Sequence, residues 1–115
     1  MVARRGVPRA PERDDIVWLD FDPQAGHEQA GRRPALVLSP KLYNQRSGLA
    51  LMVPVTSRAK GYPFEVELPA GLPVKGVVLA DHVKSLDWAA RGAALATRVP
   101  SALTDEVLAK LRLLL

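Results

Sequence analysis

Ten prolines and eight glycines break this chain of 115 residues into short pieces. That spacing suits short strands and turns better than long helices. The last stretch is the exception. Beyond Pro100, residues Leu103, Val107, Leu108, Leu111, Leu114 and Leu115 recur at helical spacing, which predicts an amphipathic C-terminal helix capped by Ser101 or Thr104. The length allows one domain and is too short for two. With 48% hydrophobic and 24% charged residues, the composition is that of a globular domain and excludes a disordered or fibrous chain. No apolar run approaches the roughly 18 residues of a membrane span, and the basic N-terminus lacks the apolar core of a secretory signal. The absence of cysteine excludes disulfides, Cys-ligated zinc, a thiolate nucleophile and iron–sulfur clusters. Cytoplasm is the expected compartment.

Charge is unevenly spread. Arg4, Arg5, Arg9 and Arg13 against Glu12 give residues 1–13 three of the chain's four net positive charges. Such an end is expected to be a solvated, flexible tail, or an auxiliary contact for an acidic partner. Residues 14–115 are then the domain. A strand over Ile16 to Phe21 closes at Asp22-Pro23, and 24–33 is a loop too long for a tight hairpin. Pro34 to Leu38 is a second strand. Ser39-Pro40 looks like an N-cap followed by the first residue of a short helix, stopped by Ser47-Gly48. Strands are expected over Leu49 to Val55, ending or bulging at Pro54, then over 63–68, 75–80 and 92–99, with 56–62 and 81–85 as polar loops. This order points to a mainly β fold, a small antiparallel barrel or strongly curved sheet, not a βαβ fold. Trp18 and Phe21 read as core residues.

Several standard sites are missing from the sequence. There is no phosphate loop, no HExxH and no serine in a strained G-x-S-x-G turn. Three polar loops remain: His27-Glu28-Gln29-Ala30-Gly31-Arg32-Arg33, Thr56-Ser57-Arg58-Ala59-Lys60-Gly61-Tyr62 and Asp81-His82-Val83-Lys84-Ser85. Loops after alternate strands of a meander emerge at one end, so the three are expected to converge. Cations, hydroxyls and a carboxylate together suit a phosphodiester, which needs donors for a developing pentavalent phosphorus and a group for proton transfer. Solvated loops with weak Arg–Glu pairs are the competing reading. Tyr62 and Phe64 either stack on a base or pack in the core. Lys84 and Arg91 are either phosphate contacts or ordinary surface charges.

Longer strings are more specific. Val17-Trp18-Leu19-Asp20-Phe21-Asp22-Pro23, Glu28-Gln29-Ala30-Gly31, Arg33-Pro34-Ala35-Leu36-Val37-Leu38-Ser39-Pro40 and Tyr43-Asn44 resemble the MazF/PemK family of toxin endoribonucleases, and its MazF branch in particular. Val53-Pro54-Val55-Thr56, Lys60-Gly61-Tyr62-Pro63-Phe64-Glu65-Val66 and Ala80-Asp81-His82-Val83-Lys84-Ser85 continue the resemblance in order.

The resemblance implies an SH3-like PemK/CcdB-type barrel with a small inserted helix and a C-terminal helix. It implies a homodimer that cuts single-stranded RNA at short sequences, independently of ribosomes. The substrate's own 2′-hydroxyl would attack, leaving 2′,3′-cyclic phosphate and 5′-hydroxyl ends without metal or cofactor. A MazE-like antitoxin would block the RNA groove, and operator DNA would be met only through the toxin–antitoxin complex. No membrane partner is expected. Arg33, Thr56 and Glu28 stand at the family's catalytic positions, and Lys60 borders its RNA site. His27, Arg32 and Ser57 depart from the MazF-branch pattern beside the bound RNA, so an altered base preference is expected. Arg58, Tyr62, Asp81 and Lys84 complete the candidate RNA-binding set. An ionised guanidinium is a poor base but fits phosphate oxygens, which favours Arg33 as clamp and proton donor and Glu28 as the group that takes or orients the 2′-hydroxyl proton. A CcdB-like toxin that only binds a protein shares the fold; Glu28, Arg33 and Thr56 together argue against it.

Overall fold

The computed structural model describes residues 9–20 and 31–115. Among these residues seven strands and two helices follow one another: β1 (Asp15–Asp20), β2 (Arg32–Val37), α1 (Lys41–Ser47), β3 (Leu49–Thr56), β4 (Glu65–Glu67), β5 (Val77–Leu79), β6 (Lys84–Asp87), β7 (Ala94–Arg98) and α2 (Ser101–Arg112). Every pairing is antiparallel, in the order β4-β5-β3-β2-β1-β7, with β6 also on β3. The two ends of this path, β4 and β7, do not pair, so the curved sheet stays open.

Strand β3 accounts for much of the shape. One edge pairs with β2; the other pairs with β6 from Leu49 to Met52 and with β5 at Val55 and Thr56. Pro54 stands where the partner changes. It has no N–H to give a ladder, so the strand continues through it while the second edge passes from one partner to the next. The strand therefore does not end at Pro54, and it carries Thr56 to the tip of the sheet. Strand β6 falls where a polar loop is expected. Its Lys-Ser-Leu-Asp sequence buries only Leu86, too weak a pattern for period-two reading.

Both faces of the sheet are covered. Ile16, Leu36, Val53 and Val55 point to one core, which α2 closes with Leu103 and Val107. Val17, Leu19, Ala35, Val37, Ala50 and Met52 point to the other, closed by Leu86 and Trp88. Alternate residues of one strand thus feed opposite cores, and the strands read as continuous apolar runs. Each fully buried Leu or Ile contributes about 1.5–3 kcal/mol relative to exposure.

Neither helix is capped as expected. Pro40 and Pro100 hold the N-cap positions without side-chain bonds; Ser101 begins α2 and Thr104 is buried in its first turn. Ser39 serves a buried cluster instead. Its hydroxyl donates to Asn44 Oδ1 (2.6 Å) and accepts from the Leu51 amide (2.9 Å), while Asn44 Nδ2 donates to the carbonyls of Pro11 (2.8 Å) and Ser39 (3.0 Å). Trp88 Nε1 donates to the Asn44 carbonyl, 2.9 Å away. Gly48, in the left-handed conformation at φ 76°, stops α1 as its sequence indicates.

The end of the expected tail packs on the body. Ala10 is buried, and Arg13 Nε donates to the Leu38 carbonyl at 2.7 Å. Arg98 Nη1 meets Asp15 Oδ1 at 2.6 Å and Glu12 Oε1 at 3.8 Å. Burial pushes the Asp15 carboxyl above its ordinary 3.8, outweighing the Glu12 amide and the Arg98 guanidinium, which pull it down. Arg4 and Arg5 lie outside the described residues.

Candidate active site

The register of β2 and β3 builds the site. Ala35 faces Pro54 and Leu36 faces Val53. Carried two residues further, the same register sets Arg33 opposite Thr56, at the ends where both strands leave the cores. Both line a groove of about 680 Å³ with Ser57, Arg58, Lys75, Trp18, Pro34, Val55, Pro73 and Val74. Among the described residues, three cations and no carboxylate line it. Among the described residues, the Arg33, Arg58 and Lys75 side chains have no ion pair or hydrogen bond. Three unneutralised cations around one groove make a site for a polyanion.

The Thr56 hydroxyl oxygen accepts the Arg58 amide at 3.1 Å. That bond occupies an acceptor lone pair and leaves the hydroxyl hydrogen to be donated to a bound oxygen. Gly76 makes the turn behind it possible. Its φ is +125°, and a Cβ there would lie 2.1 Å from the Thr56 carbonyl oxygen and 3.0 Å from Ser57 Cα. Only glycine allows the 73–76 segment to seat this close to the Thr56–Ser57 backbone.

Of the expected site residues, the structure brings Arg33, Thr56, Ser57 and Arg58 together. Glu28 and His27 lie outside the described residues, as does Phe21. Arg32 is next to Arg33 but serves the fold: Nη2 donates to the carbonyls of Trp18 (3.0 Å) and Gly92, and Nη1 lies 3.6 Å from Asp20 Oδ1. Lys60 and Tyr62 stand on a separate groove side. The amides of Lys60 and Gly61 donate to the Glu65 carboxylate at 3.0–3.2 Å, and Lys60 Nζ sits 5.9 Å from the centre of the Tyr62 ring. Among the described residues, the third loop does not join Arg33 and Thr56. Asp81 lies 3.7 Å from His82 Nε2, and neither Asp81 nor Lys84 lines the groove; Lys84, on β6, pairs in register with Met52 at the far half of β3. Phe64 packs against the first core, while Tyr62 is exposed.

Trp18 is a correction. It is 38% exposed and lines the groove: alternation puts it on the face of the buried Ile16, but two residues further along β1, opposite Pro34, where that face opens into the groove. Lys75 was not singled out by its sequence; the glycine after it was the available signal. Among the described residues, no three His, Cys, Asp or Glu side chains gather where they could hold a metal ion. No helix among them is long and apolar enough to cross a membrane.

Comparison with known proteins places these features in context. Residues 12–115 match the family described as PemK-like, MazF-like toxin of type II toxin-antitoxin system. The chain is 58% identical over 83 residues to the Escherichia coli K12 endoribonuclease toxin MazF, covering 72% of this chain and 74% of that one. It is 40% identical over 108 residues to Escherichia coli endoribonuclease PemK, covering 90% and 81%. The fold superposes on crystalline MazF from Deinococcus radiodurans with a TM-score of 0.85 at 59% identity, covering 93% and 97%. MazF in a MazE–MazF complex from the same organism gives 0.83 at 52%, covering 93% and 96%.

Proposed function

The chain belongs to the PemK-like, MazF-like family of type II toxin–antitoxin toxins, and from that premise we propose that it is an endoribonuclease that cuts single-stranded RNA in the groove between Arg33 and Thr56. The observation that carries this reading is the groove itself, lined among the described residues by three cations and two hydroxyls. A phosphodiester backbone is the polyanion that fits it.

The reaction is the one the family resemblance implies, and the donors of the groove suit it. The substrate 2′-oxygen attacks phosphorus, the bond from phosphorus to the 5′-oxygen breaks, and a 2′,3′-cyclic phosphate and a 5′-hydroxyl remain. The Arg33 fork holds non-bridging oxygens as negative charge builds and gives a proton toward the leaving 5′-oxygen. The Thr56 hydroxyl donates to a second oxygen, since its own lone pair is engaged by the Arg58 amide. Glu28 takes the 2′-hydroxyl proton. Ser57 and Arg58 line the strand's path, and the exposed Trp18 ring offers a stacking face for a base.

The MazE–MazF complexes of the Deinococcus relative support an antitoxin partner for this chain. A homodimer as the working form, and operator DNA contacted only through the toxin–antitoxin complex, complete this reading. The cytoplasm, where RNA and antitoxin are both met, is the compartment this function requires. A CcdB-like toxin that acts only by binding is not favoured, because the similar proteins are endoribonucleases. The test compares the protein with Arg33→Ala on RNA. Losing a transition-state contact of roughly 3–4 kcal/mol slows cleavage about 100- to 1000-fold. Arg33 is exposed and holds no described partner, so the melting temperature stays put. Near-normal cleavage by the variant refutes the assignment.

A further inference from the structure

A second groove of about 700 Å³ runs beside the first, lined among others by Tyr62, Glu65, Glu67, Gly71 and Gly76. Lys75 alone lines both. We propose that Lys75 binds an RNA phosphate next to the one that is cut, carrying the strand from the Arg33–Thr56 groove into the groove beneath Tyr62. The inference rests on the endoribonuclease reading and extends it from the scissile bond to the flanking nucleotides.

Three observations support it. The Lys75 side chain is exposed and has no ion pair or hydrogen bond among the described residues, so its charge is available to a ligand. Its backbone is fixed to the catalytic turn: Gly76, the next residue, packs against the Thr56 carbonyl where no Cβ fits, and its own carbonyl accepts the Leu68 amide at 3.0 Å. The anchored backbone keeps the Lys75 stem beside Thr56, and its free ammonium reaches the neighbouring phosphate. The second groove also suits unpaired nucleotides. Tyr62 is 59% exposed with Lys60 Nζ 5.9 Å from its ring centre, and beside the Glu65 and Glu67 carboxylates Lys75 is the one cation lining this groove among the described residues, so a phosphate is held at Lys75 and a base at the ring. Aromatic faces stack on bases with little regard to sequence.

The experiment uses the full-length protein and an RNA of its mapped cleavage sequence, with 2′-deoxyribose at the scissile nucleotide so that the strand binds without reacting. Affinity is measured against salt for the unaltered protein, Lys75→Gln and Lys75→Arg. Lys75→Gln weakens binding up to about five-fold at low salt, the upper range for one exposed charge pair. It flattens the log–log salt slope by about 0.7, the value for one phosphate contact on a single strand. Lys75→Arg restores both. Trimming the RNA from one end abolishes the difference between Lys75→Gln and the unaltered protein, while the cleavage sequence stays fixed because phosphate contacts carry no base information. Unchanged affinity and slope in Lys75→Gln, with RNA cleavage normal, overturn the inference alone. Lost affinity with an unchanged slope also overturns it, since that marks a shaping role for the loop. Failure of the unaltered protein to cut RNA overturns the endoribonuclease reading as well.

Discussion

Replacing Gly76 by alanine tests the link between fold and site with one methyl group. The new Cβ would stand 2.1 Å from the Thr56 carbonyl oxygen, on a residue whose φ is +125°. Two costs follow. The backbone conformation alone costs an L-residue about 1–3 kcal/mol. Relieving the contact to ordinary van der Waals distance requires the 73–76 segment and the Thr56–Ser57 turn to part by roughly 1 Å, a displacement that can cost about 100-fold in rate when it moves a catalytic group. Each 1 kcal/mol lowers the melting temperature of a domain this size by about 4–8 °C. Gly76→Ala therefore melts at least about 4 °C lower and cuts RNA about 100-fold more slowly while still folded. Gly48→Ala supplies the control. Its φ is also positive, at +76°, but nothing lies within 4 Å of the added Cβ and it sits at the end of α1, away from the groove. It lowers the melting temperature and leaves cleavage by the folded protein intact. The assay is RNA cleavage at a temperature where thermal melts show all three proteins folded. Equal cleavage losses in the two variants, or none in Gly76→Ala, refute the argument that Gly76 sets the position of Thr56.

Two further predictions separate structural from catalytic charges. Arg32→Ala loses the bonds to the Trp18 and Gly92 carbonyls, lowering stability by about 1 kcal/mol per bond; cleavage by the folded variant stays within about three-fold, a change worth under 1 kcal/mol. Asp15 is the pH-sensitive group. Its folded carboxyl binds a proton more tightly than the unfolded one, so its contribution to stability is fullest below pH 3.8 and falls as pH rises through the raised value. Denaturant melts across acid pH show stability of the unaltered protein falling relative to Asp15→Asn as pH rises; a relative gain contradicts the burial argument.

The fold was largely legible because its strands alternate between two cores and its turns carry proline and glycine. The boundaries that moved have local causes. Pro54 is expected to end β3 or make it bulge, yet a strand that changes partner there continues through a missing donor. Ser39 resembled an N-cap because a serine before a proline usually is one; its hydroxyl is claimed by the buried Asn44, a long-range need invisible in the local string. The site was legible in part. Arg33 and Thr56 stand in family strings, and strand register sets them opposite each other. Trp18 was hidden because an apolar run buried on both faces gives no sign of which residue reaches an open end. The family strings single out Arg33, but that its neighbour Arg32 serves the fold shows only in the structure, where strand alternation sends one to the fold and the other to the groove. Among the described residues, Asp81 and Lys84 stand apart from the Arg33–Thr56 groove, because β6 pairs with the half of β3 away from Thr56.

The central claim is that the nucleophile belongs to the RNA and the chain supplies only the groove around it. Its direct measurement is the chemistry of the ends produced by the purified protein in excess EDTA, on two versions of one mapped RNA. One version is all-ribose; the other carries 2′-deoxyribose at the scissile nucleotide. The account predicts 2′,3′-cyclic phosphate and 5′-hydroxyl ends on the first and no cutting of the second, although both bind alike. Cutting of the deoxy version, or 5′-phosphate ends on either, would contradict it.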